Sequence, residues 1–356
     1  MKTIESTKER LPISEAENVS KSFSSKSGLR ALSRSKKYIQ AVNTCSIKIY
    51  PGEFVGLVGE SGCGKSTLGR LLLRLETPTD GNIFFNGKNI TKLKGKALRK
   101  ERQNMQIIFQ DPSSSLNPRF TVENTIAEAL SIHKATTNKL ELKTHIAALM
   151  DMVGLPVSAL GKFPGEFSSG EKQRISLARA LAVEPKFLVA DEPVTALDPA
   201  SREQVLGLLE TVNRELNVAF LLIAHDIDTI KRMCSKIAVM HLGKIVETAT
   251  TKELFNAPKH PYTKALFASR LSAHPSSHDF KRYLLKGEPP SPLDPPSGCN
   301  FHERCMYTDI QCKKIVPMPR FLNEDHTVSC HFNFDGDKKI MPKEIEDTLS
   351  LKSSKS

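Results

Sequence analysis

A run of nine residues rich in glycine and hydroxyl groups has a composition suited to binding phosphate. It lies directly after the apolar run Phe54–Val58 and before the helical pattern of residues 68–75. Glycines let backbone N–H groups surround phosphate oxygens, and the start of a helix adds positive potential. The nine residues, called the phosphate loop below, are Gly59, Glu60, Ser61, Gly62, Cys63, Gly64, Lys65, Ser66 and Thr67. The pattern predicts that Lys65 reaches the β- and γ-phosphates of a nucleotide and that Ser66 ligates Mg²⁺.

Two adjacent carboxylates, Asp191 and Glu192, end a second apolar run that begins at Phe187. One carboxylate at a strand end can support bound Mg²⁺, and its neighbour can take a proton from an attacking water. Two adjacent carboxylates after an apolar run also occur as a strand cap that binds no metal. The phosphate loop upstream favours the Mg²⁺ site, and the two motifs together predict a nucleoside triphosphatase.

Four further motifs follow in a fixed order. They are Gln110 in Ile-Ile-Phe-Gln; Ser168, Ser169, Gly170 and Glu171 before the helical pattern 172–182; Asp198 in Ala-Leu-Asp; and His225 after the apolar run 219–224. Each alone is a common structural feature, and Ser-Ser-Gly before a helix is a frequent cap. In this order and spacing, the six motifs resemble those of the ABC ATPases.

The resemblance covers roughly residues 11–333 and implies two such domains facing head to tail, with ATP between one phosphate loop and the opposite signature, residues 168–171. It implies that Glu192 is the general base and that Asp191 and Gln110 are Mg²⁺ partners. His225 would be the sensor of the γ-phosphate.

Two aromatic residues compete for the adenine base. Phe23 in Val-Ser-Lys-Ser-Phe resembles the aromatic residue that stacks on adenine in this family, and Tyr38 is the alternative. The signature departs from the usual Leu-Ser-Gly-Gly-Gln at Ser169 and Glu171. Glu171 adds negative charge near an anion, so the sequence predicts that the two ATP sites of an assembled transporter are unequal.

The C-terminal third carries three more motifs: His260-Pro-Tyr-Thr, Gly287-Glu-Pro-Pro-Ser-Pro, and Gly298-Cys-Asn-Phe-His-Glu-Arg-Cys305. They resemble the ATPases of dipeptide and oligopeptide importers, and nickel importers share part of this architecture. The basic insertion before Ala41 is similar to the second of the two ATPase types in such importers.

Four cysteines cluster near the C-terminus: Cys299, Cys305, Cys312 and Cys330. Four thiolates can complete a tetrahedral Zn²⁺ site or hold a [4Fe–4S] cluster. Some members of the resembled family are similar in carrying a [4Fe–4S] cluster on matching cysteines, and Zn²⁺ stays the alternative. Thiols without a ligand are the third possibility.

The chain has 356 residues and a net charge of +12, which indicates an anionic partner such as nucleotide, nucleic acid or lipid. The basic run 92–102 lacks interleaved aromatic residues, so a solvated helix face is expected there and no nucleic acid is expected as a partner. No stretch reaches the ~18 apolar residues of a membrane-spanning helix. The polar N-terminus does not resemble a signal peptide.

Strands alternate with helices after the phosphate loop, which predicts an α/β fold with a parallel sheet. The resemblance implies a P-loop NTPase of ABC type with a helical subdomain and a small cysteine-bearing extension. The expected segments are an N-terminal strand and basic insertion (1–40), the nucleotide-binding domain (41–257, helical subdomain about 111–182), the extension (258–333) and a disordered tail (334–356).

The expected function is ATP hydrolysis that energises an ABC importer for dipeptides or oligopeptides, with a nickel or other small-solute importer as the alternative. A soluble ABC ATPase acting on DNA or ribosomes is disfavoured, because the chain has neither a long coiled-coil insertion nor two cassettes. The expected cofactors are ATP, Mg²⁺ and the cysteine-bound metal. The expected partners are two membrane-spanning permease subunits, a second ATPase subunit (a relative or a second copy) and, indirectly, a solute-binding protein. The expected location is peripheral, on the cytoplasmic face of a bacterial plasma membrane.

Overall fold

The computed structural model describes residues 11–24, 38–133, 139–271, 287–335 and 338–340. The strands are β1 (Ser14–Ser24), β2 (Tyr38–Ile49), β3 (Phe54–Val58), β4 (Asp80–Phe85), β5 (Lys88–Asn89), β6 (Met105–Ile108), β7 (Phe187–Asp191), β8 (Ala219–Ile223), β9 (Lys236–His241), β10 (Lys244–Thr250), β11 (Arg320–Phe321), β12 (Thr327–Val328), β13 (Asn333–Asp335) and β14 (Lys338–Ile340). Cys45, Ile47 and Ile49 alternate with more exposed residues along β2, and all three side chains are buried.

The helical patterns of the sequence form helices. They are α1 (Lys65–Leu72), α2 (Gly95–Gln103), α3 (Pro112–Ser115), α4 (Val122–His133), α5 (Lys139–Met152), α6 (Ser169–Leu181), α7 (Pro199–Leu216), α8 (Ile227–Met233), α9 (Thr251–Asn256), α10 (Pro261–Leu271) and α11 (Ile310–Lys314). Short 3₁₀ turns cover Val157–Gly161, Pro164–Glu166 and His302–Arg304. The basic run 92–102 falls largely on α2, which buries none of its residues.

The chain forms two compact units, each built from several segments. The first takes the described residues of Met1–Val19, Ser46–Val55 and Leu68–Ala224, and the second takes those of Ser20–Cys45, Gly56–Thr67 and His225–Ser356. The predicted boundary at residue 258 falls inside the second unit, which holds both the phosphate loop and the extension. The predicted helical subdomain, 111–182, falls inside the first unit together with strands β6, β7 and β8.

The first unit is organised by a parallel sheet in which β6 pairs with β7 and β7 pairs with β8. Every residue of β7 and β8 is buried, as expected for parallel strands covered on both faces. Phe54 stacks on Phe220 with ring centroids 4.4 Å apart. The parts of β1 and β2 in this unit join β4 and β5 in a second sheet, in the order β2-β1-β4-β5.

The second unit contains an antiparallel sheet to which the extension contributes. β9 pairs with β10, β10 with β12, and β12 with β11, so the last two strands extend the sheet that β9 and β10 begin. The extension buries three apolar residues, Val328, Phe332 and Phe334, which cluster with Cys312 and Cys330. The extension therefore shares its hydrophobic core with its cysteines.

A buried carboxylate joins the extension to strand β10. Glu247 is 1% exposed and accepts hydrogen bonds from the backbone N–H groups of Lys259 (2.6 Å) and His260 (2.9 Å). The Nε2 atom of His326 lies 2.8 Å from its Oε1 atom. A buried carboxylate is tolerated only when its oxygens are satisfied in this way, so Glu247 fixes both the start of α10 and the strand pair that carries β12.

The two ends of the chain differ partly from expectation. The basic insertion lies outside the described residues, apart from its flanks in β1 and β2. The tail was expected to be disordered from residue 334, but β13 and β14 form an antiparallel hairpin with Asn333 opposite Ile340. The prediction was wrong for this part, because the sequence pattern of lysine and serine did not reveal the pairing; residues 341–356 lie outside the description. In the described segments, no helix has the length and apolar character needed to cross a membrane.

Replacing Glu247 with alanine leaves two buried N–H groups and a buried imidazole without their acceptor. We expect Glu247→Ala to lower the free energy of unfolding by roughly 2–5 kcal/mol. The matched control is Glu324→Ala, an exposed carboxylate of the extension, for which no change above about 0.5 kcal/mol is expected. Chemical denaturation of both variants is the measurement, and equal losses would contradict the structural role of Glu247.

Candidate functional site

The phosphate loop lies in the second unit, between the end of β3 and the first turn of α1. Gly64 has φ +105°, and a Cβ atom there would lie 2.0 Å from the carbonyl oxygen of Ala41, so only glycine fits. Lys65 is 5% exposed and donates from Nζ to the carbonyl oxygens of Gly59 (3.0 Å) and Glu60 (2.9 Å). Ser66 and Thr67 follow in the first turn of the helix. The local fold is the one that the sequence predicted for phosphate.

The predicted carboxylate pair lies in the first unit, where β7 ends. Asp191 is 4% exposed and Glu192 is 7% exposed. Glu192 has a φ of +51°, which marks a sharp turn out of the strand, and its N–H group donates to the carbonyl oxygen of Ile223 at 2.9 Å. Glu192 therefore leaves the strand in a backbone conformation that non-glycine residues adopt only where the surroundings require it.

Gln110 and Glu192 lie together although 82 positions separate them. The side-chain Nε2 atom of Gln110 donates to Oε2 of Glu192 at 2.9 Å. β6 precedes Gln110 and pairs with β7, so the parallel register brings both side chains to the same carboxyl edge of the sheet. The amide thereby orients the carboxylate that the sequence assigned as general base.

The signature begins helix α6 in the first unit. Ser168 is its N-cap and accepts from the N–H group of Glu171, while the Glu171 carboxylate accepts from the N–H and the hydroxyl of Ser168, both at 2.8 Å. These hydrogen bonds lower the pKa of Glu171. Glutamate completes a capping box here, as glutamine also could, and its negative charge is in addition favourable at the start of a helix. The Ser168 hydroxyl is bound to Glu171 in this arrangement.

Gly170 and Asp198 also have clear structural roles in this unit. A Cβ atom on Gly170 would lie 2.5 Å from Oγ of Ser201, so α6 and α7 approach closely there. Asp198 caps α7 by accepting from the N–H groups of Ala200 (3.1 Å) and Ser201 (3.0 Å). A side-chain hydrogen bond from Ser201, together with these backbone bonds, lowers the pKa of Asp198. Ser169 is exposed, and glycine is not required at its position.

The remaining predicted nucleotide contacts lie in the second unit. Phe23 is 37% exposed near the end of β1, and the Nζ atom of Lys21 lies 4.9 Å from its ring centroid. Tyr38, its competitor, is 55% exposed at the start of β2. His225 is half-buried just after β8. Both aromatic rings are thus open enough to stack on a base.

The four clustered cysteines of the second unit line one pocket. Cys299, Cys305, Cys312 and Cys330 share it with Phe301, His302, His331 and Phe332. Burial raises the pKa of the thiols of Cys305 and Cys330 to about 12, and the neighbouring cysteines add to the effect. Among the residues described, however, no three His, Cys, Asp or Glu side chains stand in a geometry that would hold a metal ion. The donor set suits a metal, but no preformed cage is present.

Sequence reasoning missed two residues that contact the phosphate loop. Tyr262 accepts a hydrogen bond from the N–H group of Glu60 at 2.9 Å, and Arg304 binds the Glu60 carboxylate through both terminal nitrogens. Tyr262 lies in the His-Pro-Tyr-Thr motif and Arg304 immediately precedes Cys305. Both motifs were noticed as family features, but nothing in their spacing pointed to the loop.

Comparison with known proteins places this geometry in a family. The model of the family described as "ABC transporter" matches residues 42–195, and that described as "Oligopeptide/dipeptide transporter, C-terminal region" matches residues 246–312. The chain is similar to the oligopeptide transport ATP-binding protein AppF of Bacillus subtilis, with 42% identity over 321 residues that cover 90% of this chain and 97% of the relative. It is also 42% identical to OppF of Haemophilus influenzae over 293 residues, 82% of this chain and 88% of the relative.

Solved structures agree with this assignment. A dimeric ATP-binding cassette in a post-hydrolysis state bound to ADP and Pi has a TM-score of 0.59 and 27% identity, covering 67% of this chain and 98% of its own. CbiO1 of Clostridium perfringens, from the cbiONQ transporter complex, shares the fold with a TM-score of 0.59 at 24% identity, covering 74% of this chain and 96% of its own. The chain is an ABC ATPase, and it belongs to the family of the oligopeptide transport ATP-binding proteins.

Proposed function

We propose that this chain hydrolyses ATP with Lys65 and Glu192 and thereby drives the import of dipeptides or oligopeptides through a membrane permease. The observation that carries the catalytic part is the hydrogen bond from Gln110 to Glu192, because it joins two motifs that are far apart in the sequence. The names of the relatives support the cargo. A nickel or other small-solute importer is the alternative.

The proposed chemistry assigns one role to each of Lys65, Glu192 and Gln110. Lys65 releases the carbonyl oxygens of Gly59 and Glu60 and binds the β- and γ-phosphates instead. Glu192 takes a proton from the water that attacks the γ-phosphorus, and Gln110 holds the carboxylate in position. ADP and phosphate are the products.

A magnesium ion fits the donors of this chain. The hydroxyl of Ser66, the carboxylate of Asp191 and the amide oxygen of Gln110 are hard oxygen ligands of the kind that Mg²⁺ prefers. When bound, the ion neutralises charge on the phosphates. Asp191 is buried at the end of β7, at the carboxyl edge of the sheet to which Gln110 also comes.

The other assigned residues complete the proposal. Phe23 stacks on adenine, with Tyr38 as its competitor, and His225 contacts the γ-phosphate. Residues 168–171 and Asp198 face the nucleotide of a second ATPase subunit, either a relative or a second copy. The inequality of the two ATP sites stays a prediction. The hydrogen bond from the Ser168 hydroxyl to Glu171 supports it, because this bond has to break before the hydroxyl can donate to a phosphate.

The proposed partners follow from the family. Two membrane-spanning permease subunits receive the energy of ATP binding and hydrolysis, and a solute-binding protein delivers the cargo to them. The proposed location is the cytoplasmic face of a bacterial plasma membrane, peripherally bound. Copies of ATP-binding cassettes form dimers in the related solved structure, which supports a dimer here.

The four cysteines that share a pocket are proposed to hold a [4Fe–4S] cluster, with Zn²⁺ as the alternative. The shared pocket supports a ligand with four thiolate bonds. The raised pKa values mean that the free thiols are protonated at neutral pH, so binding releases protons and the metal itself stabilises the thiolates. The ligand would join Cys299 and Cys305 to the core residues Cys312 and Cys330.

Cargo is tested in the complete transporter. Purified complex in lipid vesicles should hydrolyse ATP several-fold faster when the solute-binding protein is loaded with a short peptide than when it is empty. The control is the same binding protein supplied with a nickel chelate. Stimulation by nickel and not by peptides would decide for the alternative cargo.

Glu192→Gln removes the base but keeps an oxygen that accepts from Gln110. We expect nucleotide binding to persist while turnover falls by about 10²–10⁴-fold, the usual contribution of a positioned general base. Glu215→Gln, an exposed carboxylate at the end of α7, is the matched control. ATPase activity and ADP binding are measured side by side, and near-normal turnover by Glu192→Gln would remove Glu192 from this role.

The metal is identified on full-length protein purified without oxygen. We expect iron and sulfide in near-stoichiometric amounts, with broad absorbance at about 400 nm. Cys305→Ser should lose the metal, whereas Cys234→Ala, a buried cysteine elsewhere in the same unit, should retain it. Colourless protein with one zinc and no iron would decide for Zn²⁺, and protein with neither metal would contradict the proposal.

A further inference from the structure

Glu60, the second residue of the phosphate loop, is held at its N–H group, its carbonyl oxygen and its carboxylate. Its N–H group donates to the hydroxyl oxygen of Tyr262 at 2.9 Å. Its carbonyl oxygen accepts from Lys65 at 2.9 Å. Its carboxylate accepts from Arg304 at 2.7 and 2.8 Å. All of these residues belong to the second unit, so the extension contacts the loop directly.

The pair formed by Arg304 and Glu60 is well shielded from water. The Arg304 side chain is 6% exposed and the Glu60 side chain is 19% exposed. His241 also lies near, with Nδ1 3.7 Å from Oε2 of Glu60. Burial lowers the pKa of His241 to about 4, so this imidazole is neutral at pH 7. Arg304 is therefore the cation that balances Glu60, through the two-pronged geometry in which such pairs are strongest.

Arg304 reaches the loop from the segment Cys299–Cys305, called the cysteine loop here. A 3₁₀ turn, His302–Arg304, forms its second half. Phe301 is 3% exposed and packs its ring edge-on against His241 and Tyr262, with centroids 5.4 and 5.3 Å apart. The N–H group of Cys299 donates to the carbonyl oxygen of Cys312 at 2.8 Å. The position of the guanidinium is thus set by a packed and hydrogen-bonded segment.

A carboxylate beside a phosphate site carries an electrostatic cost. Glu60 lies in a loop whose proposed ligand is a polyphosphate, and like charges repel more strongly where water is scarce. The bond with Arg304 neutralises the carboxylate and holds it to the side of the extension. Tyr262 and Arg304 together restrain the residue whose carbonyl oxygen binds Lys65.

We propose that Arg304 and Tyr262 are positioning residues of the phosphate loop, and that the extension thereby sets the affinity of the chain for the phosphates of its nucleotide. The inference rests on the proposed role of Lys65 and the phosphate loop in nucleotide binding. It assigns the cysteine loop a role at the ATP site, in addition to the proposed role of its cysteines as metal ligands.

The test is the affinity of the full-length protein for MgADP, measured by calorimetry, since ADP is not hydrolysed and the measurement reads binding alone. Arg304→Gln leaves Glu60 as an uncompensated negative charge, and we expect the Kd to rise about tenfold. Glu60→Gln combined with Arg304→Gln removes both charges, and we expect the Kd to return to within about threefold of the original. A role of Arg304 in stability alone would predict no such recovery.

Two further variants complete the design. Tyr262→Phe leaves the N–H group of Glu60 without its acceptor, and the Kd should rise about threefold; this variant also serves if Arg304→Gln does not fold. Lys314→Gln removes an exposed positive charge of the extension and should leave the Kd unchanged. Thermal unfolding verifies that every variant is folded at the temperature of the titration.

The outcomes separate the inference from the proposed function. If Lys65→Ala binds MgADP as tightly as the unmodified chain, the phosphate loop is not the nucleotide site and both fall together. If Lys65→Ala binds MgADP weakly while folded Arg304→Gln and Tyr262→Phe keep the original Kd, the inference alone is overturned. A double variant whose Kd for MgADP is as high as that of Arg304→Gln would also overturn the inference.

Discussion

A phosphate-binding loop has to keep its backbone N–H groups available for the ligand, so few bonds within the loop can hold it in shape. This chain meets the constraint by restraining the loop from outside. Tyr262 and Arg304 bind Glu60 from the extension, while within the loop Lys65 donates to the carbonyl oxygens of Gly59 and Glu60. The carbonyl oxygen of Ala41 lies close to Gly64 and restricts the position of the loop backbone there. These contacts together hold the backbone of the loop in one shape.

The same unit shows why the extension is part of the ATPase rather than an appendage. Glu247 on β10 accepts from two backbone N–H groups at the start of α10 and lies against His326. β12 then continues the sheet beyond β10. Because Glu247 is buried, removing any of its partners leaves unsatisfied polar atoms in the interior. Strand pairing and buried charge thus tie together segments that the sequence suggested were separate domains.

The first unit shows a comparable restraint at the carboxylate proposed as general base. The parallel pairing of β6 with β7 brings Gln110 and Glu192 to one edge of the sheet, and the left-handed backbone of Glu192 turns its carboxylate out of the strand. In the signature, Ser168 and Glu171 satisfy each other's hydrogen bonds as a capping box. Glutamate there is a stable helix start, so the substitution that looked unfavourable for an anion site is favourable for the helix.

The sequence by itself determined the phosphate loop, the carboxylate pair at Asp191 and Glu192, and the helix start at Ser168. Each depends on residues within one short segment, where spacing and backbone preference are sufficient. The sequence also identified the family. It did not reveal the hairpin that β13 and β14 form, where a polar composition was taken as disorder.

Only the tertiary structure decided which distant residues meet. Glu60 and Arg304 are 244 positions apart, and Glu247 and His326 are 79 apart. Arg304 would serve equally well as a solvated cation if its segment packed elsewhere. Local spacing carries no information about such partners, because they are set by strand order and by the packing of Phe301 against Tyr262 and His241. The contacts between the extension and the phosphate loop are therefore a property of the fold.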